Sequence, residues 1–556
     1  MKYSLLEKFV FLSVGAAIVL QFVMPLGFPI VGHDAPIHLN WLEQFPKLFR
    51  EGNLYPRWMP ESFWGFGSPA FYFYPPLAYW CASIISFIFP NNPVAIYQTL
   101  GLLATIASVG TCYIYLRLIA PSKRSALVGA LVYGVLPYRL LDLYLRNALG
   151  EHVAFVFLPL IFWSIEIALG NSKNPKRQVV LSVMISTIGW GGMLLSNIPS
   201  SVIAIYSTMV YAVMRAYSRK NFLRLIFPAL GSVIGVMVAA IYLLPAAEFS
   251  NAIMMSHLWD LQSSNGNSGY ALIDVMHGKY RFFYIGLITT LISGGWLAYR
   301  FYRTSKNSGV GSIVSVFFIL VLIGTIFQIP FLLHPLWGIL PGSRLIQFTY
   351  RLDILVVLAS AVFIALFFDR LAESKWLILA SSFVTLGIAG GYFVTMNGNT
   401  WKNQVAEGHI DAPEYIARGA SNDASRAIGD FRLHANDPLI DPDSPSFHFH
   451  LYSETPKAVR FTIDRPPGTT SIALHRMHFP TVELSSNKDE VLMFSDSMGR
   501  SCALLENSSN SVSADYALAI VKSDVEKRGE LISCAGLAIL SVLVVLIISS
   551  RNPRAS

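Results

Sequence analysis

The chain has 556 residues, 54% of them hydrophobic and only 13% charged, against about 25% charged in an ordinary soluble domain. Together with a mean hydropathy of +0.51, this excludes a soluble enzyme and points to an integral membrane protein. The net charge of +8 does not indicate nucleic-acid binding, because the basic residues lie in short clusters between apolar runs, as in cytoplasmic loops.

Taken in order, the apolar run at 9–30 is longer than a signal-peptide core and is followed by no small-residue cleavage site, so it reads as a retained first span. Runs long enough to cross about 30 Å of hydrocarbon at about 1.5 Å per residue also occur near 94–119, 125–140, 152–169, 178–195, 200–217, 226–246, 282–300, 310–330, 352–368, 376–395 and 531–550. The expectation is a polytopic α-helical membrane protein of about twelve transmembrane helices.

A further apolar stretch at 74–89 decides sidedness. If it crossed, the clusters Lys123/Arg124, Lys173/Lys176/Arg177, Arg215/Arg219/Lys220/Arg224, Arg300/Arg303/Lys306 and Arg370/Lys375 would face outward. If it lies along the outer leaflet, all of them face the cytoplasm with both termini, as the positive-inside bias requires. That parity gathers His33, Asp34, His38, Arg57, Asp142, Arg146, Glu151, His152, Glu248, His334, Arg344, Arg351 and Asp353 on the other side.

Residues 396–529 change character, with β-prone runs such as 446–452, 458–463, 470–474 and 490–494 separated by Pro, Gly, Asn and Asp. They read as a small exterior β-sandwich. The expected organisation is a membrane module over 1–395 with a first exterior loop at 31–93, a periplasmic or extracellular β-rich domain over 396–529, and a last transmembrane helix and cytoplasmic tail over 530–556. The four cysteines, Cys81, Cys112, Cys502 and Cys534, lack CxxC spacing and suggest neither a metal knuckle nor a disulfide framework.

The long first loop with an acid directly after the first span, the Pro75-Pro76-Leu77-Ala78-Tyr79-Trp80 segment and the soluble C-terminal domain resemble the GT-C superfamily of polyprenyl-phosphate-dependent membrane glycosyltransferases. Tyr55-Pro56-Arg57-Trp58, the run from Tyr144 to Glu151, the run from Leu340 to Arg351, and Asp411-Ala412-Pro413-Glu414-Tyr415 are similar to the bacterial YfhO-like and 6-pyruvoyl-tetrahydropterin-synthase-related membrane proteins. The resemblance implies a GT-C-like fold in a bacterial inner (plasma) membrane. It also implies an enzyme moving a sugar from a polyprenyl-phosphate carrier to a glycan, lipid or protein acceptor on the non-cytoplasmic face, in cell-envelope glycan modification.

Such a transfer needs a base, positive charge for the leaving phosphate and a groove for the isoprenoid. Asp34 is the candidate base, although Asp before Ala-Pro is also a good helix N-cap. Arg57, Arg146, Arg344 and Arg351 are the candidate phosphate contacts, since a guanidinium forks onto two oxygens; each alone is also an ordinary interfacial residue. Glu151 and His152, entering an apolar run, are candidates for binding sugar hydroxyls, with a Glu151–Arg146 pair as the structural alternative. The resemblance adds Tyr55 and Trp58 as substrate contacts. His33 and His38, with Asp34, are candidate ligands for a divalent metal (Mg or Mn), against interfacial histidines bonded to backbone or water. Two other functions fit the composition: a flippase or transporter of lipid-linked saccharide, and a non-catalytic envelope scaffold.

Overall fold

The computed structural model describes residues 34–254, 309–327, 339–346, 348–371, 411–418, 424–442, 448–455, 458–465, 468–506 and 513–550. The expected spans at 9–30, 282–300 and 376–395, and His33, lie outside the described residues.

The first loop contains three helices, α1 (Ala35–Arg50), α2 (Ala70–Phe73) and α3 (Leu77–Ile85). They precede α4 (Pro93–Ile119) and α5 (Lys123–Val135). The bundle continues with α6 (Leu149–Leu169), α7 (Pro175–Ser196), α8 (Ile198–Arg219) and α9 (Leu223–Ala252). Helices α10 (Gly309–Phe327) and α11 (Asp353–Leu371) complete its inner layer. A short α12 (Ala424–Leu433) leads into the strands, and α13 (Asp524–Ser549) closes the described chain.

The long helices begin at readable signals. Asn92, Asn174 and Asn197 each accept a backbone N–H three residues on, with proline at the first or second helical position. Ser523 and Glu526 form a reciprocal capping box at the start of α13. Among the described residues six helices, α4, α6, α7, α8, α9 and α13, are long and apolar enough to cross a membrane.

This corrects the twelve-span, GT-C-like expectation. The run at 125–140 is not one span: α5 has 13 residues, about 20 Å of helix, and Leu136 is extended before Pro137, as a residue preceding proline prefers. Helix α10 contributes a shorter apolar stretch, Gly311–Gly324. Helix α11 is buried among its neighbours, with Ile354, Leu358, Ala361 and Val362 inaccessible. The stretch 74–89 forms only the nine-residue α3 and a turn, so it does not cross.

Helix α9 lies between α7 and α13 in a close seam. A Cβ on Gly235 would meet Gly191 N at 2.9 Å, and one on Gly536 would meet Val238 N at 2.9 Å, the small-residue contact that lets membrane helices approach. At one end of the bundle Arg215 of α8 binds Glu166 of α6 through Nε at 2.6 Å and Nη2 at 2.8 Å, and Tyr211 donates to the same carboxylate at 2.7 Å. Arg215, read from sequence as part of a cytoplasmic basic cluster, is therefore buried.

The C-terminal strands are β1 (Ile440–Pro442), β2 (His448–Glu454), β3 (Ala458–Asp464), β4 (Thr470–Met477), β5 (Val482–Ser486), β6 (Glu490–Ser495), β7 (Arg500–Glu506) and β8 (Ser513–Ile520). They form two four-stranded antiparallel sheets, ordered β1-β4-β7-β6 and β2-β3-β8-β5. The expectation of a β-sandwich is cut back to a two-sheet domain.

The domain is not a separate body on a tether. Met477 N donates to Phe66 O at 2.7 Å, His475 stacks on Phe66 at 3.9 Å, and Tyr72 packs on Phe479. Loop helices, α4 and both sheets share one apolar cluster that includes Trp41, Phe71, Tyr79, Phe461, Leu474 and Leu505. The first loop and the two-sheet domain therefore lie at the same end of the bundle.

Candidate functional site

Helix α1 sets out from Asp34, and its side chains at 34, 38 and 41 follow one another on one face, as 3.6 residues per turn dictates. Asp34 is anchored through its backbone, its N–H donating to Arg146 O at 2.9 Å. Its half-buried carboxylate makes no capping hydrogen bond, so the N-cap position does not consume the acid.

His38, one turn on, is buried, and its Nδ1 faces Tyr79 Oη at 2.5 Å. Burial pushes its pKa down to about 4, with Asp34 opposing and Arg146 reinforcing, so the ring is neutral near pH 7. Trp41 stacks on Tyr415 with centroids 6.1 Å apart, which lays the 413–415 turn against α1.

Arg146 closes the short π-helical segment Leu141–Arg146, a geometry that recurs at functional positions. Its Nη1 donates to Asp142 Oδ1 at 2.9 Å and to Glu151 Oε2 at 2.7 Å. Glu151 also accepts from Tyr138, and Arg351 Nε stands 3.4 Å from Glu151 Oε2. The guanidinium of Arg146 lies over the Tyr350 ring at 5.1 Å. All four charged groups are buried, so their mutual pairing is what makes their burial tolerable.

The sequence-derived candidates thus separate. Asp34, His38, Arg146, Glu151 and Arg351 come together. Arg344 is exposed, on the turn Ser343–Ile346 that packs on α8. Arg57 is committed elsewhere: its Nε pairs with Glu526 at 2.9 Å, Nη2 donates to Ile241 O at 2.7 Å, and its guanidinium lies 3.9 Å above the Tyr55 ring. It ties the loop to α13. Trp58 is buried against Phe479, and Tyr55 donates to Phe71 O at 3.0 Å; both are packing residues. His152 faces away, its Nε2 against Thr105 Oγ1 at 3.0 Å and Gly101 O at 3.1 Å.

Among the described residues no group of three His, Cys, Asp or Glu side chains is placed to hold a metal, and Tyr79 occupies one nitrogen of His38. His33, one of the expected ligands, lies outside the described residues, and no step below is routed through a metal.

Two participants were not singled out from the sequence. Tyr74 presents its hydroxyl to Gly150 N at 3.3 Å, and the charge of Asp34 acts on it. Glu414, half-buried on the turn Pro413–Tyr415, has its pKa raised to about 7 by burial. A hydrogen bond within its own residue opposes the rise, Asp411 and Asp34 reinforce it, and Arg351 opposes it. The run 411–415 carries part of the resemblance, but nothing in its sequence shows that Tyr415 packs between Trp41 of α1 and Phe73.

Residues 71–392 match the profile of a family described as 6-pyruvoyl-tetrahydropterin synthase related domain, membrane protein, and that is more than half of the chain. The chain belongs to this family. No curated protein matches it in sequence. The 6-pyruvoyl-tetrahydropterin-synthase-related domain supplies Tyr74, Arg146, Glu151 and Arg351, whereas Asp34 and Glu414 come from the segments before and after the matched residues.

Proposed function

We propose that this multi-pass membrane protein is a glycosyltransferase that moves a sugar from a polyprenyl-phosphate carrier to a hydroxyl acceptor, at the end of the bundle that meets the first loop. The supporting observation is the Asp34 carboxylate, half-buried and outside any capping bond, held by its backbone against Arg146. A partly buried carboxylate that is not spent on a helix cap is available to accept the acceptor's proton. As the hydroxyl oxygen attacks C1 of the sugar, the bond from C1 to the phosphate oxygen breaks and the electron pair leaves with the polyprenyl phosphate. Arg351, its Nε 3.4 Å from Glu151 and its Nη1 donating to Ile346 O at 3.2 Å, is the guanidinium of this site suited to meet that phosphate. Arg146, bonded to two carboxylates, holds the site in shape.

The exposed apolar side chains Leu54, Ile84, Phe87 and Ile88 seat the loop at the membrane interface, the level at which an isoprenoid phosphate presents its headgroup. The test is Asp34→Asn in purified, folded protein with polyprenyl-phosphate sugars and a hydroxyl acceptor. Loss of transfer with retained donor binding is expected, and full activity in that variant refutes Asp34 as the base.

A further inference from the structure

A carrier-linked sugar has hydrocarbon on one side of its phosphate, and Arg351 addresses only the phosphate. We infer that Phe348 is the contact for the first isoprene unit, so that the turn before α11 recognises an isoprenoid phosphate by head and tail together. This deepens the transferase reading given above and rests on it for the identity of the carrier.

The ring of Phe348 belongs to a stack of cations and aromatics. The Arg351 guanidinium lies 5.4 Å from its centroid, Phe348 stacks on Tyr350 with centroids 5.2 Å apart and planes at 14°, and the Arg146 guanidinium lies 5.1 Å from the Tyr350 centroid. Arg146, Tyr350 and Arg351 are buried, whereas Phe348 is 40% exposed. It is therefore the member of the stack that a ligand can touch. A single apolar side chain facing lipid is ordinary. This one adjoins a guanidinium whose Nε, 3.4 Å from Glu151 Oε2, is buried and makes no hydrogen bond, so an unspent donor and an accessible apolar ring sit side by side.

The backbone holds ring and guanidinium at a fixed spacing. Phe348 N donates to Ile346 O at 2.7 Å, Arg351 Nη1 donates to the same carbonyl at 3.2 Å, and Arg351 N donates to Phe348 O at 3.1 Å. The segment is fastened to α8, where Tyr206 Oη donates to Pro341 O at 2.7 Å. Such pre-organisation is what recognition of two chemical groups at once requires. Residues 339–352 include two guanidiniums and no acidic side chain. Ile339 and Leu345 of this segment are exposed, as are Ile205 and Met209, one turn apart on α8. Positive charge beside open hydrocarbon is the complement of an anionic head on an apolar chain.

The spacing selects among such lipids. Because the guanidinium carbon is 5.4 Å from the ring centroid, a ligand that meets both must turn to hydrocarbon within a few atoms of its phosphate. An isoprenoid phosphate does so, its branched chain beginning at the ester oxygen. A glycerophospholipid sets a glycerol diester in between, and the Phe348 ring offers no donor to its carbonyls.

The test is binding without turnover, with geranyl phosphate and inorganic phosphate as probes of wild type, Phe348→Ala and Phe348→Leu in phosphatidylcholine nanodiscs. Phe348→Ala should weaken geranyl phosphate by about tenfold and leave inorganic phosphate unchanged, while Phe348→Leu, which keeps an apolar side chain, should retain most of the affinity. Wild-type affinity for geranyl phosphate in folded Phe348→Ala overturns the contact, as does a wild type that holds geranyl phosphate no more tightly than inorganic phosphate. Displacement of geranyl phosphate by an equal concentration of phosphatidic acid overturns the isoprenoid assignment in favour of a phospholipid. The transferase reading fails separately: Phe348-dependent binding without sugar transfer from any carrier removes that reading and leaves the contact, whereas transfer by Phe348→Ala at an unchanged KM for the carrier removes the contact alone.

Discussion

The tie between Arg57 and Glu526 gives the sharpest energetic prediction. Both side chains are only 6% exposed, and Arg57 Nε meets Glu526 Oε1 at 2.9 Å. The other oxygen, Oε2, is already served by Ser523 N at 2.9 Å, Ser523 Oγ at 3.0 Å and Tyr72 Oη at 3.4 Å. Arg57→Met would therefore strand one buried carboxylate oxygen and leave the α13 capping box intact. It would also free Ile241 O, which accepts from Arg57 at 2.7 Å. Losing a charge-assisted bond costs about 1.5–3 kcal/mol, and leaving the partner charge buried brings the total to about 3–5 kcal/mol. Removing the second charge as well, as Arg57→Met with Glu526→Gln, should recover part of it, because the amide oxygen can still serve Ser523 and no charge is left without its partner. The assay is equilibrium unfolding in mixed micelles, followed by proteolysis of the first loop. A single Arg57→Met variant within about 1 kcal/mol of wild type refutes the reasoning.

Other outcomes follow from the site. Glu151→Gln removes the negative charge that faces both Arg146 and Arg351 and should destabilise by about 3–5 kcal/mol, seen as a lower unfolding midpoint in detergent. His38 has a folded pKa near 4 against 6.5 ordinarily, so the unfolded chain binds more protons between those values. Stability should be full above about pH 6.5 and fall by about 3 kcal/mol as pH drops to 4; His38→Phe should flatten that limb of the stability–pH curve. Gly150→Ala would put a Cβ 2.6 Å from Ser196 O and 2.7 Å from Tyr74 Oη, and should reduce sugar transfer by displacing Tyr74, measurable with folded protein by turnover at saturating donor. Asp34→Asn, by contrast, should leave the unfolding midpoint within about 0.5 kcal/mol, since its carboxylate makes no cap bond.

What could be read from the sequence follows from the range of the forces involved. Helix starts at Asn92, Asn174 and Asn197 are encoded within four residues, as Asn with a nearby proline, although hydropathy alone placed those runs. The non-crossing stretch at 74–89 was inferred from loop charge, and its residues form only a nine-residue helix and a turn. Loop-charge parity grouped Asp34, Arg146, Glu151 and Arg351 on one side with nine other polar residues, but which of these meet is set by the packing of the bundle. What failed was anything set by distant chain. Hydropathy counts apolar residues but does not see where a helix ends, so the truncated α5 read as an ordinary span. The sequence around Arg57 names no partner, because Glu526 arrives from the far end of the chain. Glu414 was hidden likewise, its position depending on Tyr415 finding a slot between Trp41 and Phe73.

The interlocking of the first loop with the two-sheet domain also bears on biosynthesis. Tyr72 and its partner Thr481 are 409 positions apart, so at about 5–20 residues per second the ribosome finishes the second roughly 20–80 s after the first. Throughout that interval Phe66, Tyr72 and Trp58 lack the His475 and Phe479 rings that will cover them, and the nascent loop depends on the lipid headgroup layer or a chaperone for shelter. Truncation before the last strands would orphan the oldest segment of the polypeptide, and quality-control proteases would find their substrate near its beginning.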